Sequence, residues 1–384
     1  MSGVALRHEA LEPWLALVNA PGIGPRTAAQ LLERYGDAEA VLAQPARQLT
    51  AAGLRPETVA ALANPAREPI ERVLRWAEQP GAWVLTRNDP RYPPRLAQLD
   101  DAPPLLYVRG DPTLLAEPQV AVVGSRNPTP GGAELTHAFA RELAGYGLVV
   151  TSGLASGVDG AAHLGALERG RTIAVLGTGP DRVYPAAHRE LAHRIAANGA
   201  LVSEFPPGVE PLARNFPRRN RLISGLSLGV LVTEAALKSG SLITARLALE
   251  QGREVFAVPG SVRNPLARGC HALIRDGARL VEEAQEVLVE LAPQLRALIG
   301  PAPVATQPGP ATPSGLDDTA TRVLEAMGGD PVAPDELSAR TGLPAQQILS
   351  TLLVLELDAH VSSLPGGRYC RRGGAERGDA PPSV

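Results

Sequence analysis

The chain has 384 residues, 44% of them apolar, and this exceeds one ordinary core, predicting two or three domains. A net charge of −3 excludes a polycation that coats nucleic acid indiscriminately, so any such affinity must come from local clustering. No apolar run reaches membrane-spanning length, and two distant cysteines exclude a disulfide framework and a zinc site while fitting a reducing cytoplasm.

Residues 1–80 read as a small helical domain of short patterns such as TAAQLLERYG and PETVAALAN, broken by Gly and Pro. Its opening residues carry an early glutamate and no small-residue cleavage site, so a secretory leader is not expected. Gly22-Ile23-Gly24 lies just before a helix, the pattern of a helix-hairpin-helix turn. Such a turn either aims backbone N–H groups at a DNA phosphate or simply packs two helices. Residues 81–117 are proline-rich but hold the apolar runs WVLT and LLYVRG, which predicts an ordered connector or edge strands.

From residue 119 short apolar runs (QVAVVGS, LVVTSG, TIAVLGTG, ALVSEF, GVLVTEA, EVFAVPGS) alternate with helical segments. Uninterrupted β-branched runs joined by helices mean strands buried on both faces, hence an α/β, doubly wound, mostly parallel sheet spanning the domain 81–291. Nearly every run ends in Gly, Ser or Thr, and the carboxyl edge of such a sheet is where ligands bind. Residues 292–316 are rich in Pro, Ala, Gly and Thr and predict an extended linker. The unit 317–375 combines a helix, a helix-turn-helix and a Gly-Gly hairpin, the pattern of a winged helix, and 376–384 reads as a disordered tail. Its second hairpin helix, PAQQILSTLLVLELD, has no basic residue beside Gln346 and Gln347. That composition favours a protein-contact or self-regulatory module over a sequence-specific DNA reader.

Four loops on the strand-end edge suit phosphate. Gly124-Ser125-Arg126 offers two backbone donors, a hydroxyl and a guanidinium. The loop from Thr151 to Asp159, with Ser152 and Gly153, is rich in small donors; Lys238-Ser239-Gly240-Ser241 and Pro259-Gly260-Ser261 follow. Lys238 is the only lysine in the chain, either a chance survivor or a residue held by a role that a planar guanidinium cannot fill. PLARNFPRRNR (Pro211 to Arg221) precedes the helix LISGLS and concentrates Arg214, Arg218, Arg219 and Arg221 around Phe216, one of four phenylalanines. Guanidinium groups neutralise phosphates and an aromatic face stacks an unpaired base; the competing reading is a solvated arginine turn. Asp159, His163, Asp181, Glu204 and Glu234 are acid–base candidates, but no Ser-His-Asp spacing, HExxH, Walker A or paired metal carboxylates accompany them. Glu234, at a strand end, suits either a hydrolytic carboxylate or a partner for a loop arginine.

The ordered series VAVVGSRNPTPGG, VVTSGLASGVDGAAHLGAL, TIAVLGTGPDRVYPAAH, NFPRRNRLISGLS and SGSLITARLALEQGREVFAVPGS closely resembles the DprA/Smf family of DNA-processing proteins, which act in natural transformation. The resemblance is strongest over residues 81 to 290. It implies an extended Rossmann fold flanked by a SAM-like N-terminal domain and a winged helix. It also implies sequence-independent binding of single-stranded DNA without catalysis or cofactor, a homodimer, and delivery of incoming DNA to the RecA recombinase. Carried onto this sequence, Gly124, Ser125 and Arg126 form the phosphate loop and Phe216 contacts a base. Arg219, Asn220, Arg221 and the turn Ser239-Gly240-Ser241 match directly, whereas Ala213 stands where a lysine is common, with Arg214 beside it. With Ser152, Gly153 and Lys238 these residues make up the candidate nucleic-acid site. The enzymatic rival is the cytokinin-activating phosphoribohydrolase group; its PGGxGTxxE motif would fall near KSGSLITA, which lacks the glycine pair and the glutamate.

Overall fold

The computed structural model describes residues 3–299, 318–328, 330–357, 360–364 and 367–371, and the chain forms two compact units that divide after Val287. Six helices open the first unit: α1 (Gly3–Asn19), α2 (Pro25–Tyr35), α3 (Ala38–Leu42), α4 (Ala46–Ala51), α5 (Pro56–Ala63) and α6 (Arg67–Ala77). Gly22, at φ 80°, makes the turn between α1 and α2, and Pro25 starts α2 where no amide donor is needed. Residues 81–117 then form β1 (Ala82–Thr86), the short α7 (Pro94–Ala97) and β2 (Leu105–Gly110). Strand alternation decides what β2 touches. Leu105 and Tyr107 join the core of the helical domain, Tyr107 meeting the Trp76 ring edge-on at 6.1 Å, while Leu106 and Val108 join the core of the sheet.

The remaining strands are β3 (Gln119–Val123), β4 (Val149–Ser152), β5 (Thr172–Val175), β6 (Ala200–Ser203), β7 (Gly229–Val232), β8 (Glu254–Ala257) and β9 (Arg279–Leu280). They form one sheet of order β1-β2-β6-β5-β4-β3-β7-β8-β9. All pairs from β6 to β9 are parallel, whereas β2 runs antiparallel to both β6 and β1. Every residue of β3 to β7 is buried, as continuous apolar runs require of strands covered on both faces. The covering helices are α8 (Pro130–Gly145), α9 (Val158–Arg169), α10 (Arg189–Asn198), α11 (Asn215–Leu226), α12 (Ser241–Glu250) and α13 (Arg268–Arg275), and α14 (Ala284–Ile299) follows β9. From β3 the chain winds outward through β4, β5 and β6, then crosses back to β7 on the other side of β3. Connections therefore diverge at the carboxyl ends of β3 and β7 and leave a crevice there.

Two sequence expectations change. The arginine segment is not a loop ahead of a helix, because α11 starts at Asn215 and takes in Phe216 to Arg221. Pro217 is its third residue, where the amide has no intrahelical partner to lose. Residues 292–299, expected as extended linker, continue α14 through Pro293, in line with the helical spacing of the buried Val287, Leu291 and Leu295. The rest of that linker (300–316) and the tail 376–384 lie outside the described residues.

In the second unit α15 (Asp318–Met327), α16 (Pro334–Thr341) and α17 (Ala345–Leu357) precede the antiparallel pair β10 (Val361–Leu364) and β11 (Arg368–Arg371). Val323, Leu337, Ile348, Leu352 and Tyr369 fill its core. This is a winged helix. Among the described residues no helix is long and apolar enough to cross a membrane.

Candidate nucleic-acid interface

A groove of about 660 Å³ occupies the crevice between the ends of β3 and β7. Its walls bring together Gly124, Ser125 and Arg126 after β3, Phe216, Arg219 and Asn220 on α11, and Lys238, Ser239, Gly240 and Ser241 at the start of α12. Arg126 and Lys238 are exposed and Phe216 is half-buried. The Arg126 guanidinium lies 5.9 Å from the centre of the Phe216 ring, so cation and aromatic face occupy the same spot. Ser239 and Ser241 join hydroxyls at 2.7 Å, fixing the turn that leads into α12.

The loop after β3 is tied from beneath. Ser125 N–H donates to the Glu234 carbonyl at 2.7 Å, so this amide, one of the two donors expected for phosphate, is already spent. Ser125 Oγ accepts from Asn127 N–H at 3.1 Å and keeps its own proton free. The Glu234 carboxylate is a clamp. It accepts from Thr129 N–H and Thr129 Oγ1, both at 2.8 Å, and from Asn264 Nδ2 at 3.1 Å. It faces no arginine in these contacts, and it sits at the positive end of α8. Both roles considered from sequence therefore give way to a joint between two loops.

Arg219 forms part of the groove floor and is 4% exposed. It donates from Nη1 to the Val175 carbonyl at 3.1 Å, and a Cβ at position 153 would overlap that nitrogen. Gly153 is therefore a seat for Arg219. Burial pulls the guanidinium down to about 10, against the opposing effect of Asp159, and it stays charged at neutral pH. Asp159 accepts from the amides of Gly153 and Ala155, each at 3.2 Å; burial raises its pKa and Arg219 opposes the rise. Ser152 is fully buried and donates from Oγ to the Val122 carbonyl at 2.6 Å. Ser152 and Gly153 thus support the groove from below.

Arg221 is turned away. Successive helical residues rotate by about 100°, so Phe216, Arg219, Asn220 and Ile223 line the groove while Arg218 and Arg221 point to the other side. There Arg221 bonds Glu204 through Nη2 and approaches Asp101 at 3.4 Å, and Arg218 stands 3.6 Å from Glu204. Burial raises the Glu204 pKa and the two arginines counter it. The second arginine of the RNR triplet is an internal ion-pair partner. Arg214 is exposed at the start of α11 and is absent from the groove wall, which Ala213 does line.

The acid–base candidates do not converge. Asp181 caps the Gly208 amide at 2.8 Å, Glu204 binds arginines, and His163 is fully buried against Thr172 at 2.7 Å. The sequence reading missed Tyr184, Ile243 and Thr244, which complete the groove wall. Tyr184 lies in the quoted stretch TIAVLGTGPDRVYPAAH, and the available signal was an aromatic beside Pro185 in the loop after a strand that ends on the ligand edge.

The sequence profile described as DNA recombination-mediator protein A matches residues 83–292, more than half of the chain. The chain belongs to the DprA/Smf family of DNA-processing proteins. A DprA winged-helix profile also matches residues 307–367. Protein Smf of Escherichia coli is 46% identical over 306 residues, covering 78% of this chain and 80% of that one. DNA processing protein DprA of Streptococcus pneumoniae is 49% identical over 203 residues, covering 53% and 72%. The X-ray structure of that Streptococcus pneumoniae protein superposes with a TM-score of 0.65 at 38% identity, covering 74% of this chain and 97% of that one. DNA processing protein A from Helicobacter pylori, solved for its single-stranded DNA binding mode, gives 0.51 at 35% identity and covers 56% and 96%.

Proposed function

We propose that this family member binds single-stranded DNA without sequence preference in the strand-end groove, catalyses no reaction, and, as a homodimer in the cytoplasm, passes the strand to the RecA recombinase. The observation that carries the strand-binding reading is the meeting of Phe216 with Arg126, Arg219 and Lys238 in one open groove. Phosphates need the cations, and the aromatic ring has a task only if an unpaired base is present. Support also comes from the Helicobacter pylori relative, whose single-stranded DNA binding mode has been solved. Hand-over to RecA and dimerisation rest on the family resemblance.

In this reading Arg126 and Lys238 neutralise phosphates, with Gly124, Ser125, Ser239, Gly240 and Ser241 offering short donors. Asn220 contacts the strand, Arg219 supplies positive charge from the floor, and Phe216 stacks a base. Fluorescence anisotropy of a labelled oligothymidylate, titrated across salt concentrations, tests it. Arg126→Ala removes one phosphate contact and flattens the slope of log K against log salt by about 0.7. Phe216→Ala costs about 1–3 kcal/mol with the slope unchanged. Wild-type affinity in both variants would remove the site from this groove. RecA filament growth on the bound strand, compared with and without the protein, tests the hand-over; no acceleration would refute it.

A further inference from the structure

We infer that Tyr184 is a second base-stacking platform, so that the groove takes two neighbouring unpaired bases, one on Tyr184 and one on Phe216. The inference rests on the strand-binding reading above. Among the described residues Tyr184 is the only exposed aromatic side chain, at 47%, and it lines the same groove as Phe216. A tyrosine whose task was to cover Phe216 would itself be covered. Its hydroxyl makes no hydrogen bond to any described residue, and its ring meets one other aromatic ring, that of Phe216.

The two rings stand 5.5 Å apart between centroids and are inclined by 49°. A planar base lies parallel to only one of two rings tilted that far, so the pair offers two stacking surfaces. Phe216 is seated from beneath by Gly177, where a Cβ would come within 2.9 Å of its ring. The segment carrying Tyr184 is fastened on both sides. Thr178 donates to the Arg182 carbonyl at 2.8 Å, Asp181 holds the Gly208 amide, and His188 Nδ1 meets the Leu154 carbonyl at 3.0 Å. The backbone that carries the ring is therefore fixed at the groove before any strand arrives, which lowers the cost of ordering the side chain against a base. A duplex keeps its bases paired and stacked on one another, so two such platforms suit an unpaired strand.

The test compares wild type, Tyr184→Ala, Tyr184→Phe, Phe216→Ala and Arg126→Ala on oligothymidylate and on an abasic strand of equal length, with thermal melts of each variant. Tyr184→Ala is expected to weaken oligothymidylate binding about fivefold or more, Tyr184→Phe to bind like wild type, and the deficit of Tyr184→Ala to vanish on the abasic strand. An equal deficit on the abasic strand would make Tyr184 a structural residue and overturn the inference. So would a Tyr184→Phe variant as weak as Tyr184→Ala. Full affinity in Tyr184→Ala alongside weakened Phe216→Ala and Arg126→Ala would overturn the inference and leave the strand-binding reading standing. Full affinity in all three alanine variants would instead remove the reading itself.

Discussion

Charge beneath the groove is balanced residue by residue, and His163 shows what that does to stability. Thr172 gives its hydroxyl proton to the Val150 carbonyl at 2.6 Å, so His163 must donate from Nδ1 to Thr172, leaving Nε2 buried without a partner. Burial pushes its pKa down to about 3, and His188 and Arg219 nearby add to the effect. The unfolded chain, with a histidine near 6.5, takes up the proton first. This group therefore leaves stability full above about pH 7 and removes it as pH falls from 6.5 toward 3, by about 2 kcal/mol at pH 5. Asp159, raised by burial, works in the opposite direction as pH falls. Urea unfolding at pH 7 and pH 5 checks the effect; in His163→Asn, which keeps a donor for Thr172, the difference between the two should shrink by about that amount. The sequence named His163 and Asp159 but could not tell that one lies sealed beside Thr172 while the other holds two amides. That distinction depends on which strand ends lie above them.

At the level of elements, α11 carries two duties on two faces. Its residue types pointed from the sequence toward strand binding, yet their partition between two faces was not legible, because a loop reading carries no 100° rotation. Once the segment is helical, the RNR triplet splits into two groove residues, Arg219 and Asn220, and an ion-pair partner, Arg221. The Glu234 clamp joins the turn after β7 to the start of α8 and to Asn264. In Glu234→Gln the amide nitrogen replaces one acceptor and faces an N–H donor whichever way it turns. A loss of about 1–3 kcal/mol in stability follows, with weaker strand binding on the proposed reading, and paired thermal melts and anisotropy titrations check it. The proline-rich stretch 81–117 shows the complementary limit. Its apolar runs announced strands, but direction leaves no mark in a run of five residues, so the antiparallel pairing of β2 with β6 emerges only from the assembled sheet.

For the whole molecule, every residue assigned to the groove falls in the first compact unit. A chain ending at Ile299 should keep single-strand affinity within about twofold of the full chain, measured by the same anisotropy titration; a larger loss would place part of the contact in the winged helix. The doubly wound sheet was readable because buried parallel strands need unbroken β-branched runs, and the winged helix because its turns fall at fixed offsets. Lys238 has one more consequence. It supplies the only side-chain amine among 384 residues, and it stands exposed on the groove wall. A dye attached through this nitrogen would sit at the mouth of the groove and nowhere else, and a strand lying there would shield it from the reagent. The molecule thus carries a built-in address for watching its own occupancy.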